Sequence, residues 1–186
     1  RPPEARIHAV KLIILDRDGV INHDSDAYIK SPDEWRPLPG SLEAIARLSR
    51  SGYRIVVATN QSGIARGLFD LAMLASIHAK MHQAVTGAGG RIDAIFFCPH
   101  GPEAGCACRK PRPGLFLEVL ERFKAAPAEV HAIGDQLRDL QAAHAAGCRP
   151  VLVLTGKGRA TMANGGLPHD TAVRVDLAAV AAELAP

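Results

Sequence analysis

Cysteine is scarce in this sequence, the net charge is small, and no apolar run is long. Four cysteines occur in 186 residues, three of them between positions 98 and 108. A secreted disulfide scaffold would carry more and spread them more evenly, so that class is excluded. Clustered cysteines beside a histidine point instead to a reducing compartment and a metal. A formal charge of +3 is too small for a nucleic-acid binder. The apolar run from Ala9 to Leu15 is broken by Lys11 and stops at Asp16. It is too short to cross a bilayer, and no cleavage-site pattern follows it. A cytoplasmic protein without membrane contact is therefore expected, although the sequence begins at Arg1 rather than Met. Repeats, coiled-coil heptads and long linkers are also missing, so residues 1–186 read as one domain. Hydrophobic residues are plentiful, at 47%. That excludes disorder, and a chain of this size buries roughly 70% of its unfolded surface.

Short apolar runs alternate with amphipathic stretches. Val10–Leu15, Tyr53–Ala58, Ile92–Phe97, Val130–Ile133 and Val151–Leu154 read as strands. Ser41–Ser49, Asp70–Val85, Gly114–Lys124, Leu137–Ala146 and Leu177–Leu184 read as helices, several bounded by an Asp or Pro at the start and a Gly at the end. This order predicts an α/β fold: a Rossmann-like, mostly parallel sheet with helices on both faces. Asp16, Thr59, Cys98 and Gly134-Asp135 each follow a predicted strand. In a parallel sheet they share the edge beyond the strands' carboxyl ends, where open α/β sheets bind ligands. Asp16, Asp18, Thr59, Cys98 and Asp135 should therefore converge.

The motifs at that edge are Asp16-Arg17-Asp18-Gly19-Val20, Thr59-Asn60-Gln61-Ser62-Gly63, Lys110 in a basic loop before a helix, and Gly134-Asp135 with Asp139 one helical turn on. An isolated D-x-D is equally well a polar turn. Taken together and in order, the set resembles the haloacid dehalogenase superfamily of phosphotransferases over Val10 to Asp139. The resemblance implies that Asp16 is a nucleophile forming an aspartyl-phosphate, and that Asp18 is the general acid, then the base. It implies Mg²⁺ on the side chains of Asp16 and Asp135 and the backbone carbonyl of Asp18, with Thr59 and Lys110 holding phosphoryl oxygens. Asp139 is either a support of the metal shell or a first-turn helix carboxylate.

Cys98, His100, Cys106 and Cys108 form a C-x-H-x5-C-x-C pattern. Three thiolates and an imidazole are a structural zinc set, closed to substrate. A disulfide, a group of plain buried thiols or an iron–sulfur cluster are the competing readings. Cys148 stands apart as a plain thiol. The run Arg109-Lys110-Pro111-Arg112 is read as an anion site that the zinc loop positions.

The strings CPH…CxCRKP and TNQSGIARG resemble one branch of the superfamily, which holds heptose-bisphosphate phosphatases and histidinol-phosphatases. The intact Thr59–Gly67 string favours the former, whereas the five-residue spacing between His100 and Cys106 also suits the latter. The resemblance implies a capless phosphatase acting on the C7 phosphate of a heptose bisphosphate, in ADP-heptose (lipopolysaccharide core) or GDP-heptose biosynthesis. Histidinol phosphate is the alternative substrate, and a phosphosugar-binding protein without turnover is the non-enzyme alternative. Asp24, Tyr28, Asn60, Gln61, Ser62 and Arg109 would contact substrate, Arg109 pairing with the second phosphate. The Asp24–Arg36 segment, with Tyr28 and Trp35, would form one rim of the site and the zinc loop the other. Gln136 stands where many relatives carry Lys, which removes a positive charge. His23, His78, His82, His131 and His144 match no role and read as surface or structural. The small net charge and lack of a large apolar helix face suggest a monomer.

Overall fold

The computed structural model describes residues 10–186; Ala9, which opens the first apolar run, lies outside them. Six strands form one parallel sheet: β1 (Leu12–Leu15), β2 (Arg54–Asn60), β3 (Ala94–Cys98), β4 (His131–Gly134), β5 (Arg149–Val153) and β6 (Ala172–Arg174), in the order β3-β2-β1-β4-β5-β6. The helices are α1 (Ser41–Arg50), α2 (Leu71–Gly87), α3 (Gly114–Phe123), α4 (Leu137–Ala145), α5 (Gly158–Asn164) and α6 (Leu177–Leu184). The predicted α/β architecture is the observed one. No helix among the described residues is long and apolar enough to cross a membrane.

Strand periodicity builds the two cores. In β1, Ile13 and Leu15 face one side while Leu12 and Ile14 face the other, and Ile55 and Val57 alternate with Val56 and Ala58 in β2. The first core packs α1, α2 and α6, and the second packs α3 and α4. With both faces covered, the central strands are apolar throughout and give no alternating signal.

Two elements escape the sequence pattern, β6 and α5. β6 has three half-buried residues, too few for a hydrophobic run. The α5 sequence, GRATMAN, has no apolar face to read. It is fixed by tertiary bonds: Thr161 Oγ1 donates to Asp135 O at 2.8 Å, and the N–H of Lys157, the residue before the helix, donates to Asp135 Oδ2 at 2.8 Å.

Sequence direction around β1 reverses between β2 and β4, so β1 lies at the switch point of the sheet. The segment after β1 leaves the sheet and returns through His23 N–H to Arg36 O (3.0 Å) and Leu38 N–H to Ile21 O (2.9 Å). Between these ties it forms a flap over the carboxyl edge of the strands.

Candidate active site

Asp16 directly follows β1, and its N–H donates to Ile133 O of β4 at 2.9 Å. Its Oδ1 accepts from Arg17 N–H (2.8 Å) and meets Lys110 Nζ (3.1 Å). Its Oδ2 accepts no hydrogen bond from the described residues, which leaves one carboxylate oxygen free at the cleft. Burial pushes the Asp16 carboxyl up to about 6; Lys110 opposes that rise, and Asp139 and Asp18 reinforce it.

Lys110 is 2% exposed and lies beneath Asp16 rather than on the cleft wall. Its ammonium reaches Ala58 O (2.9 Å), Asp16 Oδ1 (3.1 Å) and Asp139 Oδ1 (2.7 Å). Burial would lower its pKa, but Asp139 and Asp16 outweigh burial and raise it. Asp139 also accepts the Gln136 N–H through Oδ2 at 3.0 Å, closing a reciprocal capping box at the start of α4. Of the two sequence readings of Asp139, the first-turn helix carboxylate is the one observed. It caps the helix, and it anchors the lysine beneath the site.

Asp135 ends β4's approach, 0% exposed, with Oδ1 lacking any partner. Burial first, then Asp139 and Asp16, lift its pKa to about 8. Oxygens of Asp16, Asp135 and Asp139 all lie within 4.8 Å of one another, against the single ammonium of Lys110. An orphaned carboxylate oxygen in an over-negative buried cluster of hard oxygen donors fits a divalent cation such as Mg²⁺. Two glycines make room there: a Cβ on Gly19 or on Gly156 would collide with Asp135 Oδ2, and both have positive φ, +82° and +54°.

The Asp18 side chain turns away from that cluster. Oδ1 accepts from Arg17 Nε (3.0 Å) and Asn22 Nδ2 (2.9 Å), while Oδ2 accepts from Arg17 Nη2 (3.0 Å) and Gln61 Nε2 (3.0 Å). Burial alone would raise its pKa, but the Arg17 charge and these donors hold it below the usual carboxylate range. Asp18 is thus an ionised carboxylate with donors on both oxygens. Gln61 Nε2 also donates to Thr59 Oγ1 at 3.0 Å, which leaves the Thr59 hydroxyl hydrogen free.

The cleft at this edge has a volume of about 300 Å³, which suits a small ligand. Asp16, Asp18, Asp24, Tyr28, Thr59, Asn60, Gln61, Ser62 and Arg109 all line it. The Asn60 amide is spent on the zinc-loop junction, donating to Lys110 O (3.1 Å) and accepting Lys110 N–H (3.1 Å). Sequence reasoning missed Arg66, Arg138 and Lys157, three cations of the same cleft. They restore the charge that Gln136 lacks. Arg66 lay within the quoted TNQSGIARG string; Lys157 had no signal at all.

The flap supplies one rim. Its tip is held from both sides, by Lys157 Nζ on Asp26 (2.8 Å) and Asp24 (3.5 Å), and by Arg66 over the Tyr28 ring (5.9 Å). Trp35 is not part of that rim: at 1% exposed it is a core anchor, as is Ile29 at 6%. A loop without regular structure needs such apolar pegs, and its polar residues are the ones left at the cleft.

Cys98, His100, Cys106 and Cys108 come together at the end of β3. Cys98 Sγ lies 3.7 Å from Cys106 Sγ, 3.2 Å from Cys108 Sγ and 3.5 Å from His100 Nδ1. A disulfide needs about 2.0 Å, and all four cysteines are free. Tetrahedral ligands with metal–sulfur bonds of about 2.3 Å stand about 3.8 Å apart, so the set fits one zinc ion. Cys98 O accepts Gln61 N–H at 2.7 Å, and Arg109 Nη1 donates to His100 O at 3.1 Å. The loop is thereby tied to the catalytic edge. Arg112 does not join Arg109 and Lys110 in an anion site; it turns out to Cys106 O at 2.6 Å. Cys148 is buried and apart. A third cluster, His144, His169 and Asp170, is exposed at the opposite end of the sheet, where the His144–Asp170 hydrogen bond (3.1 Å) accounts for its closeness.

A free carboxylate oxygen, a cation-binding cluster, a buried lysine and a second carboxylate suit phosphoryl transfer through a covalent intermediate. Among known families, a HAD-hydrolase-like profile matches residues 107–180. The chain is 63% identical, over 94% of its length and 98% of the relative's, to the D-glycero-β-D-manno-heptose-1,7-bisphosphate 7-phosphatase of Bordetella bronchiseptica. It is 53% identical to the protein of that description from Pseudomonas putida, over 94% of this chain and 99% of the relative. Its structure matches that of the D,D-heptose 1,7-bisphosphate phosphatase from B. bronchiseptica complexed with magnesium and phosphate, with a TM-score of 0.93 at 63% identity, over 94% of this chain and 98% of that one. For the corresponding phosphatase from Burkholderia thailandensis the TM-score is 0.75 at 54% identity, over 94% and 97% of the two chains.

Proposed function

The chain belongs to the HAD-like phosphatase family that includes the heptose-1,7-bisphosphate 7-phosphatases, and from that premise we propose that it is a magnesium-dependent phosphatase removing the C7 phosphate of D-glycero-β-D-manno-heptose 1,7-bisphosphate. The observation that carries this reading is the 63% identity across 94% of the chain to a relative of that activity. The relatives' names specify the β anomer, which the sequence motifs leave open.

In the first half-reaction the free Asp16 oxygen attacks phosphorus, the bond from phosphorus to the C7 oxygen breaks, and the leaving alkoxide takes a proton from Asp18. In the second, Asp18 takes a proton from water, water oxygen attacks the aspartyl-phosphate, and inorganic phosphate leaves as Asp16 is regenerated. The four-donor arrangement around Asp18 is its ionised, base form. In the acid half one donor must yield, and two have another acceptor to hand, Gln61 in Thr59 Oγ1 and Asn22 in His23 O. Asp16, Asp135 and the Asp18 carbonyl would hold Mg²⁺, which when bound screens the repulsion between carboxylate and phosphate. Cys98, His100, Cys106 and Cys108 would hold a structural zinc. Thr59 would steady a phosphoryl oxygen, Lys110 would act from beneath by holding Asp16 rather than by reaching the phosphoryl group, and Arg109 on the rim would pair with the second, unreacted phosphate.

Phosphate release from the α and β heptose bisphosphates and from histidinol phosphate, compared under saturating Mg²⁺, tests the reading. The β anomer should give the highest kcat/KM, and predominant release from histidinol phosphate would overturn the assignment. Asp16→Asn should abolish turnover. Arg109→Ala should raise KM about tenfold or more for the bisphosphate, with a smaller effect on a monophosphate.

A further inference from the structure

Arg17 stands between the two catalytic carboxylates and is 0% exposed. A buried guanidinium is costly unless its donors are paired. Two of its nitrogens fork onto Asp18, Nε to Oδ1 and Nη2 to Oδ2, each at 3.0 Å. The third, Nη1, lies 3.3 Å from Nε2 of His78. Guanidinium offers only donors, so Nε2 must be the bare nitrogen of a neutral imidazole that carries its proton on Nδ1. His78 sits on α2, set between Leu74 (1% exposed), Ile77 (0%) and Met81 (0%), with its ring edge-on to Phe97 of β3 at a centroid distance of 6.3 Å. It is 8% exposed and faces an apolar groove between α2 and β3, not the catalytic cleft.

We propose that His78 is a positioning residue for the acid–base step: it fixes Arg17, Arg17 fixes the Asp18 carboxyl, and α2 thereby sets where the proton is delivered. The proposal rests on the assignment of Asp18 as acid and base. Chain geometry supports it. Arg17 and Asp18 are adjacent in the turn after β1, whose bonds to Val20, Ile21 and Asn22 fix the Arg17 backbone but not its long side chain, whereas His78 belongs to a 17-residue helix with a buried face and meets that side chain at its far end. Remove the imidazole and Nη1 becomes a buried donor without a partner, so the guanidinium must shift or admit water, and the fork on Asp18 shifts with it. Burial, then the adjacent Arg17 charge, push the His78 pKa down to about 3. It therefore remains an acceptor across neutral pH.

Leaving-group dependence separates this role from a merely structural one. An alkyl phosphate needs its leaving oxygen protonated, whereas p-nitrophenyl phosphate does not. The wild type, His78→Leu and His78→Gln are compared on the heptose bisphosphate by kcat and KM, and on p-nitrophenyl phosphate by the pre-steady-state burst that reports phosphorylation of Asp16. His78→Leu should lose about 10- to 100-fold in kcat on the sugar substrate with KM nearly unchanged, while the burst rate changes little. His78→Gln, whose amide oxygen can accept from Nη1, should recover most of that loss. His78→Phe makes the same comparison should His78→Leu not fold. Equal losses on both substrates, or a Leu variant as active as wild type, would overturn the proposal. A wild type inactive on the heptose bisphosphate overturns the substrate reading instead, so the two failures are distinguishable.

Discussion

Asp135 carries the least compensated charge in the site. Burial, then Asp139 and Asp16, raise its pKa to about 8, with one backbone N–H from Lys157 in opposition. A folded-state pKa above the unfolded value of 3.8 means that the native state holds a proton that the unfolded chain has released between those limits. Stability of the Mg²⁺-free, zinc-loaded protein should therefore fall as pH rises from about 4 towards about 8 and level off above that. Asp16, raised to about 6, acts in the same direction. Since the cation binds the carboxylate form, saturating Mg²⁺ should flatten this decline, and the Kd for Mg²⁺ should tighten with rising pH. Thermal melting and calorimetric titration across pH 5–9 check both. Gly156 tests the same spot sterically. Gly156→Ala should weaken Mg²⁺ binding and lower kcat about tenfold or more, because its Cβ meets Asp135 and, at 2.5 Å, the Gly19 Cα. Gly52→Ala, at φ +86° in open space, should cost only about 1 kcal/mol of stability and leave kcat alone. At this scale the sequence exposes the residues at strand ends: Asp16 and Asp135 converge with Thr59 because the first two follow β1 and β4 and Thr59 lies at the penultimate position of β2, all central strands of one parallel sheet. Arg17, His78, Arg66 and Lys157 stayed hidden because their roles depend on pairings across the fold, which spacing does not encode.

The Cys98–Cys108 loop, with the proposed zinc in place, is the element that would join metal binding to chemistry. It starts at Cys98 on β3, passes through the Cys/His cluster and delivers Arg109 to the cleft and Lys110 beneath it, where Asn60 clamps the Lys110 backbone from β2. Cys108→Ser, or removal of zinc, should lower the melting temperature and reduce kcat without touching a group that meets substrate. Returning zinc should restore activity, and excess Mg²⁺ alone should not. The clustering of the four side chains was legible from spacing, since few chemistries place three thiols and an imidazole so close together. Arg112 was misread because a run of basic residues says nothing about which way each one turns. The flap shows a similar limit. Its polar tip was recognisable, but Trp35 was assigned to the rim when an irregular segment needs it as a peg in the core. The short β6 and α5 had no hydrophobic period to reveal them: β6 has only three half-buried residues, and α5 is fixed by polar bonds from Lys157 and Thr161 to Asp135 rather than by an apolar face.

The whole molecule is a switch-point cleft of about 300 Å³ between the flap and the zinc loop. Arg66, Arg109, Arg138 and Lys157 line it above the carboxylate floor. The rim cations suit the phosphate that stays on the sugar, and the floor suits the one that leaves. Regiochemistry is therefore the property in which the fold, the metal cluster and the rim all meet. Phosphorus NMR of β-heptose 1,7-bisphosphate during turnover with Mg²⁺ reads it directly. The C7 phosphomonoester signal should disappear as inorganic phosphate grows, the anomeric phosphate should persist, and Asp16→Asn should leave both signals unchanged. Loss of the anomeric phosphate, or no hydrolysis of this substrate by a folded, metal-loaded enzyme, would contradict the account.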